Sequence, residues 1–294
     1  MTLIFFGTLK RLCSAYVLLS AALLLCCTGE TALSHDQLIL GIHPFHTVTI
    51  LEEKFTPLAE YLSKELNMPV VVRVGSSYAE HIDAVGRDKL DIAYLGPVQY
   101  VRMVDKYGNK PLLACQETDG TPFFRGIIIT RQDNPSEKLA DLEFGEFAFV
   151  DIHSTMGYIL PTFLLLKENP AIIKENNYQM LKTHENVALA VLTGDFEAGA
   201  VKESVYQLYR HRGLKELART PAAPEHLFVA RANLSAGTIK KLRKALWQLS
   251  KTNSGQHIMQ AIKSTLTGFV PVEDEAYDGL RTVIERLAEE STLK

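Results

Sequence analysis

Short apolar runs that read as β-strands alternate with amphipathic helical patterns along almost the whole chain. The run 38–42 is followed by a helical pattern that places four apolar residues on one face: Phe55, Leu58, Ala59 and Leu62. Strands that alternate with helices favour an α/β fold, because each helix carries the chain back so that the next strand can lie parallel to the last. The pattern therefore predicts mixed, mostly parallel sheets.

Two polar, turn-rich segments bracket one complete strand–helix series in the middle of the chain. This arrangement predicts two lobes, with residues 36–130 and 226–294 in the first lobe and residues 131–225 inserted as the second. The chain would cross between the lobes near 130–132 and 221–226, and a hinge there would open and close a cleft. Ligand pockets favour such clefts and the carboxyl ends of parallel strands.

The N-terminus has a different texture from the rest of the chain. A basic pair precedes the apolar stretch 12–27, and small polar residues follow it. This order is typical of a secretory signal, so residues 1–32 are expected to export the protein to the periplasm or another extracytoplasmic space. Two alternatives stay open. The segment could remain as a membrane anchor, or it could be a lipoprotein signal in which Cys26 or Cys27 carries the lipid, although neither follows a small residue.

The net charge and the cysteine content limit the partners and the kinds of site that this chain can have. The formal net charge is −3 over 294 residues, which argues against nucleic acid as a partner. Beyond the N-terminal segment Cys115 is the sole cysteine, so neither a disulfide nor a CxxC metal or redox site is expected there. An anionic ligand would have to be captured by local geometry rather than by a basic surface.

A strand, a polar loop and a helix follow one another in the segment 146–168. The apolar run 147–150 ends in the loop, and Ser154 and Thr155 then open an apolar helix. Hydroxyl residues at this position satisfy the unpaired N–H groups of a helix start, which makes a cap the simpler interpretation. The same N–H groups and the helix dipole also form a natural seat for an oxyanion, here at 154–157, which includes Met156 and Gly157.

Several short motifs occur in a characteristic order: Ser77-Tyr78-Ala79, the segment 91–97, Asp-x-x-Ser-Thr-x-Gly-aromatic at 151–158, Thr183-His184-Glu185-Asn186, and the segment 268–272. In this order and spacing the chain beyond about residue 37 resembles the phosphate/phosphite/phosphonate substrate-binding proteins of ABC transporters, typified by the periplasmic phosphonate-binding protein. The resemblance implies a two-lobed periplasmic-binding-protein fold of type II. It also implies an ABC permease as the partner.

The resemblance also implies which residues contact the ligand. Ser154 and Thr155 would hold oxyanion oxygens through their hydroxyls and nearby N–H groups, and His184 would donate to another oxygen. Tyr78, at a helix start in the other lobe, would close from the opposite side. Hydrogen bonds to a charged group of this kind contribute about 1.5–3 kcal/mol each, so a few of them could support micromolar binding or better.

Three positions depart from the aminoethylphosphonate-binding member of the family. Ser204 and His226 align with acidic residues that pair with the ammonium of that ligand, and Phe124 aligns with a tyrosine. Without the two carboxylates, the reason to prefer a zwitterionic ligand is lost. The expected ligand is therefore a simpler anion: phosphate, phosphite or an alkylphosphonate.

The same residues also suggest two other functions. Ser154 and His184 suggest a Ser/His hydrolase, but the sequence around Ser154 is not a Gly-x-Ser-x-Gly elbow, and anion binding needs no base. No catalytic residue is therefore assigned, and a non-enzymatic protein is expected. A receptor module that reports its ligand to a membrane histidine kinase remains the alternative to transport.

Histidines and tyrosines near the strand ends are further candidates. His43 and His46 follow the first strand but lack a third ligand, so a metal site is not assigned and no cofactor is expected. Lining of the cleft or an ordinary loop is the better interpretation of this pair. His153 could face the cleft or the solvent, and Tyr94 ends a strand at the expected cleft.

Overall fold

Two mixed β-sheets with helices on their faces make up the computed structural model, which describes residues 37–142, 146–174 and 177–292. In spatial order, the first sheet contains β13 (Leu266–Val270), β4 (Leu112–Thr118), β12 (Leu227–Ala230), β3 (Ile92–Leu95), β1 (Leu38–Ile42) and β2 (Val70–Val74). The second contains β10 (Leu214–Arg219), β6 (Gly126–Arg131), β9 (Ala198–Lys202), β7 (Phe147–Phe149) and β8 (Tyr178–Met180). A two-stranded ribbon pairs β5 (Phe123–Phe124) with β11 (Ala223–Pro224).

Helices cover the faces of both sheets. Their bounds are α1 (Val48–Leu66), α2 (Tyr78–Gly86), α3 (Pro97–Tyr107), α4 (Leu160–Glu168), α5 (Ala171–Lys174), α6 (His184–Thr193), α7 (Glu203–Tyr209), α8 (Ala236–Gln248), α9 (Asn253–Ile262) and α10 (Asp278–Thr292). Strands β3 and β12 are buried along their whole length, as expected for sheets that are covered on both faces. The α/β class predicted from the alternating pattern is confirmed.

The expectation of mostly parallel strands is corrected by the pairing. Within the described residues the two large sheets contain nine pairings, of which four are parallel: β1–β2, β1–β3, β7–β8 and β7–β9. The main reason is that β12 returns from the second sheet and inserts antiparallel between β3 and β4. Apolar runs report burial but not direction, so the pattern could not reveal this return.

The first helix shows how closely periodicity predicted an element. All four apolar residues expected on one face are buried in α1, which runs from Val48 to Leu66. Asn67 ends the helix with a positive φ of 52°, a conformation that asparagine tolerates well. The face of α1 packs into the core of the first sheet.

Strand β6 lies in a different sheet from the one expected. The lobe boundary at 130 assigned residues 126–130 to the first group, whereas β6 pairs with β9 and β10 in the second sheet. The turn-forming residues at 119–122 separate this strand from β4, and they were the available sign of the change. The chain therefore passes between the sheets at 119–125, where it forms β5, and returns at 220–226, where it forms β11.

The helical segment after Ser154 begins with a wide π turn, Thr155–Ile159, before α4 starts at Leu160. Pro161 lacks an N–H group and cannot donate to the Gly157 carbonyl, which instead accepts from the Val150 N–H at 3.1 Å. The turn is wide because the N–H groups of Ile159 and Leu160 donate five residues back, to the carbonyls of Ser154 and Thr155, and turns of this type recur at functional sites. The bond to Val150 also fixes the helix start against the end of β7.

Two sequence expectations concern the membrane and the thiols. No helix in the described ranges has both the length and the apolar character that crossing a bilayer requires. The expected signal at 1–32, with Cys26 and Cys27, lies outside the described residues. Cys115 is buried as a free thiol.

Candidate anion-binding site

Residues from both sheets line one small cavity, with a volume of about 20 Å³. We call it the small cavity; its lining consists of His43, Phe45, Tyr78, Gly96, Gln99, Phe124, His153, Ser154, Thr155, Met156, His184, Lys202 and His226. A larger cavity of about 290 Å³, here the side cavity, shares Phe45, Phe124, Lys202 and His226 with it and adds Lys54, Glu185, Ser204, Glu225 and Lys263, among others. The two spaces adjoin at the four residues that they share.

Seven of the nine residues selected from the sequence lie together in the wall of the small cavity. Ser204 lines the side cavity instead. Gly157 lies behind the wall, where a Cβ atom would come within 2.4 Å of Val150 Cγ2, so a glycine is needed for the helix to approach β7. His153, which the sequence left undecided, and His43 both line the small cavity, while His46 and Tyr94 line the side cavity.

Ser154 is an N-cap, and this role does not exclude a ligand. Its Oγ accepts from the Gly157 N–H at 3.0 Å, which leaves the hydroxyl proton free to donate. The N–H groups of Tyr158 and Ile159 donate to the Ser154 carbonyl. Within the described residues, the N–H groups of Thr155 and Met156 have no acceptor. The cap therefore leaves two amides and one hydroxyl as donors at the helix start.

Thr155 connects the two halves of the site. Its Oγ1 accepts from the N–H of Val98 at 3.1 Å, in the first turn of α3, which follows β3 of the first sheet. The bond also satisfies one of the unpaired N–H groups at the start of α3. As with Ser154, the hydroxyl proton stays available to a ligand.

Tyr78 is the first residue of α2, which Ser77 caps by accepting from the Glu80 N–H at 3.1 Å. The ring is buried, and its hydroxyl forms no hydrogen bond with any residue in the described part of the chain. Burial raises the pKa of Tyr78, and the nearby carboxylates of Asp151 and Glu185 raise it further. The phenol therefore keeps its proton and can act only as a neutral donor or acceptor.

Lys202 is the site residue that the sequence reasoning missed. It ends β9, and its side chain lines both cavities. Its Nζ lies 4.9 Å from the centre of the Phe45 ring, and no carboxylate of the described residues lies within ion-pair distance of it. Burial lowers the pKa of Lys202, while the charge of Glu185 raises it. A lysine directly after the apolar strand 198–201 was the available signal, since strand ends meet at a cleft.

Two histidines present N–H donors to the small cavity. The backbone N–H of Lys202 donates to His184 Nδ1 at 3.1 Å, so a neutral His184 carries its proton on Nε2. Gln99 receives the Gly96 N–H on its Oε1 at 3.4 Å, which leaves its amide nitrogen to donate to His43 Nδ1 at 3.1 Å. His43 Nε2 is buried without a partner in the described residues, so it is free for a ligand oxygen.

Both rings are neutral in the folded protein. Burial lowers the pKa of His43 well below 6.5, and His226, His81, Lys202 and His184 lower it further. Burial likewise lowers the pKa of His184, with Lys202 and His226 adding to the effect. No three His, Cys, Asp or Glu residues in the described ranges are grouped so that they could hold a metal ion.

We expect the ligand-free protein to lose stability as the pH falls below 6.5, the ordinary histidine value. The unfolded chain binds protons at His43 and His184 in that window, whereas the folded cavity does not, so acid favours unfolding. Urea unfolding at about pH 7 and about pH 5 measures the change. His43→Gln should reduce the pH dependence, and His257→Gln, at an exposed position of α9, should not. Equal stability at both pH values would contradict the prediction.

Comparison with known proteins gives the family. Residues 40–277 match the family described as "ABC transporter, phosphonate, periplasmic substrate-binding protein". The chain is 24% identical over 224 residues to the phosphonates-binding periplasmic protein of Escherichia coli, a match that covers 72% of this chain and 66% of that protein. It is 25% identical over 277 residues to the phosphate-import protein PhnD of Mycolicibacterium smegmatis, covering 85% of each.

Among solved structures, PhnD1 from Prochlorococcus marinus in complex with methylphosphonate superposes with a TM-score of 0.77. The sequence identity is 20%, and the match covers 86% of this chain and 98% of that one. This likeness establishes the fold. Since the family match spans most of the chain, the protein belongs to the periplasmic phosphonate substrate-binding proteins of ABC transporters.

Proposed function

We propose that the small cavity binds the head group of a phosphorus oxyanion: phosphate, phosphite or an alkylphosphonate. The observation that carries the proposal is the convergence of donors from both sheets around one cation. Tyr78 and His43 donate from the first sheet, and Ser154, Thr155 and His184 donate from the second. Lys202 supplies a positive charge at the same place. Relatives that bind phosphonate, phosphate or methylphosphonate support this class of ligand.

The arrangement favours an oxyanion on electrostatic grounds. Buried N–H and O–H donors lose hydrogen bonds to water when the cavity closes, and an oxyanion restores them with charge-assisted bonds of about 1.5–3 kcal/mol each. Five such donors and a cation exceed what a neutral ligand of this size can satisfy. Phosphorus oxyanions offer three or four acceptor oxygens in a tetrahedral arrangement, which suits donors that approach from two sides.

A substituent on phosphorus would extend into the side cavity. Of its two carboxylates, Glu225 is engaged by Lys263, Thr118 and His226. Glu185 has a buried oxygen, Oε2, without a partner in the described residues. The charge of Glu185 raises the pKa of Lys202, so the two side chains interact electrostatically. We propose that Lys202 offsets Glu185, so that the site has no preference for an ammonium substituent.

Isothermal titration of the full chain with phosphate, phosphite, methylphosphonate and aminoethylphosphonate tests the proposal. We expect micromolar or tighter binding of at least one of the first three ligands. Aminoethylphosphonate should bind no more tightly than methylphosphonate, because its ammonium would meet Lys202 and Lys263 in the side cavity as well as the carboxylates. Tight binding of aminoethylphosphonate alone would contradict the assignment of the ligand, and so would the absence of binding throughout the panel.

We further propose that the protein is exported by its N-terminal segment and delivers its ligand to an ABC permease. Two lobes built on the two sheets would close by a hinge through 119–125 and 220–226, and the closed form would dock on the permease. The family supports this partner, because its members are transporter components. Uptake of labelled methylphosphonate by cells that lack this gene tests the proposal. Reintroduction of the gene should restore uptake if the protein delivers its ligand to a permease. It should not restore uptake if the role of the protein is sensing.

A further inference from the structure

Four histidines line the small cavity, and the partners of their ring nitrogens divide them into two kinds. His43, His153 and His184 each accept a hydrogen bond at Nδ1, from the Gln99 amide, the Arg102 guanidinium and the Lys202 backbone N–H, respectively. Each of these partners is a donor. In the neutral state, therefore, all three rings carry their proton on Nε2 and can act as donors at that atom.

His226 has the opposite arrangement. Its Nδ1 lies 3.0 Å from Oε2 of Glu225. The other carboxylate oxygen, Oε1, accepts from Lys263 Nζ and from Thr118 Oγ1, both at 2.9 Å. Burial raises the pKa of Glu225, but His226 and Lys263 together hold it far below its usual range. An ionised carboxylate has no proton to donate, so the proton lies on His226 Nδ1 and Nε2 carries a bare lone pair.

The lone pair on His226 Nε2 lies at the wall of the small cavity. The ring lies in its wall, and Nε2 is 3.7 Å from the point that a Cβ atom on Gly96 would occupy. Tyr94 and His43 stack against the ring with centroid distances of 5.2 and 5.3 Å. These contacts and the bond to Glu225 fix its orientation, so the lone pair keeps its direction.

We propose that His226 Nε2 is an acceptor for a ligand proton and that Glu225 is the positioning residue that makes it one, so that the site selects phosphorus oxyanions carrying one P–OH group. The inference rests on the proposed function. A cavity that presents His226 Nε2 as a fixed acceptor among donors complements a monoanion such as dihydrogen phosphate or hydrogen methylphosphonate. Sulfate, which carries no proton near neutral pH, would set an oxygen lone pair against that of Nε2.

The number of protons taken up on binding distinguishes a monoanionic ligand from a dianionic one. A monoanion enters with its own proton, which lies between a ligand oxygen and His226 Nε2. A dianion enters only if one proton is taken from solution, and the product is the same complex, whether written P–OH···N or P–O⁻···H–N⁺. The complex therefore always contains one proton more than the neutral protein and the dianion.

The charges that face His226 from neighbouring elements set its state before the ligand arrives. Burial lowers the pKa of His226, Lys202 and Lys263 lower it further, and Glu225 raises it. His43 and His184 are neutral, and the Tyr94 hydroxyl donates to Gln116 at 2.6 Å. The empty site thus holds a neutral His226, which is ready to accept.

Titration calorimetry of the full chain with methylphosphonate tests the inference, in pairs of buffers with different ionisation enthalpies at each pH. Below the second pKa of the ligand we expect no proton uptake. Above it we expect uptake of one proton and a Kd that rises about tenfold per pH unit. At neutral pH sulfate should bind at least about tenfold more weakly than phosphate, since it leaves the acceptor unpaired. A flat pH profile without proton uptake, or equal binding of sulfate, would overturn the inference.

Two variants separate His226 from other titrating groups such as Lys202. His226→Phe keeps a ring in the stack and removes the acceptor, while Glu225 retains Thr118, Lys263 and a backbone N–H at 3.2 Å. We expect this variant to bind methylphosphonate with no proton uptake and to lose its discrimination against sulfate. Glu225→Gln can donate its amide to His226 Nδ1, which moves the ring proton to Nε2, so it should also lose the discrimination.

His257→Phe, on the exposed surface of α9, is the matched control and should behave as the wild type. A pH slope that persists in His226→Phe would overturn the assignment to this residue, because Lys202 is still present in that variant. If phosphate, phosphite and methylphosphonate all fail to bind the wild type at every pH, the proposed function fails and this inference with it. If they bind with a flat pH profile, this inference alone fails.

Discussion

Replacement of Lys202 by methionine should weaken the binding of methylphosphonate by about 100-fold or more. The ammonium group lies in the wall of both cavities, and in the empty protein it has a cation–π contact with Phe45 but no ion pair within the described residues. An oxyanion would pair with it in a place where water is excluded. Loss of one partner of a buried charge pair costs about 3–5 kcal/mol, which corresponds to more than two orders of magnitude in Kd.

The stability of the ligand-free Lys202→Met variant should change much less than its affinity for the ligand. Burial lowers the pKa of Lys202, which means that the folded protein holds this charge at a cost. Methionine has a similar length and removes this cost, but it also removes the charge that offsets Glu185, so thermal unfolding of the ligand-free variant should occur near the wild-type temperature. Lys240→Met, at an exposed position of α8, serves as the control and should leave both quantities unchanged. Wild-type affinity in Lys202→Met would remove Lys202 from the site.

Elements whose signal is local were predicted well from the sequence. The apolar face of α1 follows from residues spaced three and four apart, and Ser77, Pro97 and Thr183, all common at helix starts, stand at the starts of α2, α3 and α6. Caps and apolar periodicity depend on neighbours within one or two turns, so they are written in short stretches of sequence. The N-cap at Ser154 was predicted for the same reason.

Features that depend on distant partners could not be predicted. The antiparallel insertion of β12 and the transfer of β6 to the second sheet are set by pairing between residues 68 or more positions apart. The π turn needs the bond from Val150 to Gly157 as well as Pro161. Lys202 was overlooked because a single lysine after a strand has no motif, and its role emerges only when Phe45 and the two cavities surround it.

The second large effect on ligand affinity is expected at Thr155, because its hydroxyl accepts from the Val98 N–H and is proposed to donate to the ligand. Thr155→Val keeps the shape of the side chain but removes the acceptor of the Val98 N–H and one donor to the ligand. An unsatisfied buried N–H costs about 1–3 kcal/mol, and a lost charge-assisted bond about 1.5–3 kcal/mol. If the Val98 N–H is hydrated when the site is open, both costs oppose binding, and the Kd for methylphosphonate should rise by about 100-fold or more.

The comparison with Thr155→Ser separates this explanation from a loss of packing. Serine retains the hydroxyl and omits a methyl group, so its Kd should stay within about tenfold of the wild-type value. Hydrogen exchange at the amide of Val98 gives a second readout, since the exchange should accelerate in the valine variant and not in the serine variant. Equal Kd values for the valine variant and the wild type would mean that the hydroxyl of Thr155 contacts no ligand. Equal weakening in both variants would mean that its methyl group matters more. The bond between Thr155 and Val98 links the helix start that we propose as the anion seat to α3, which follows β3 of the first sheet, so its strength would bear on closure as well as on recognition.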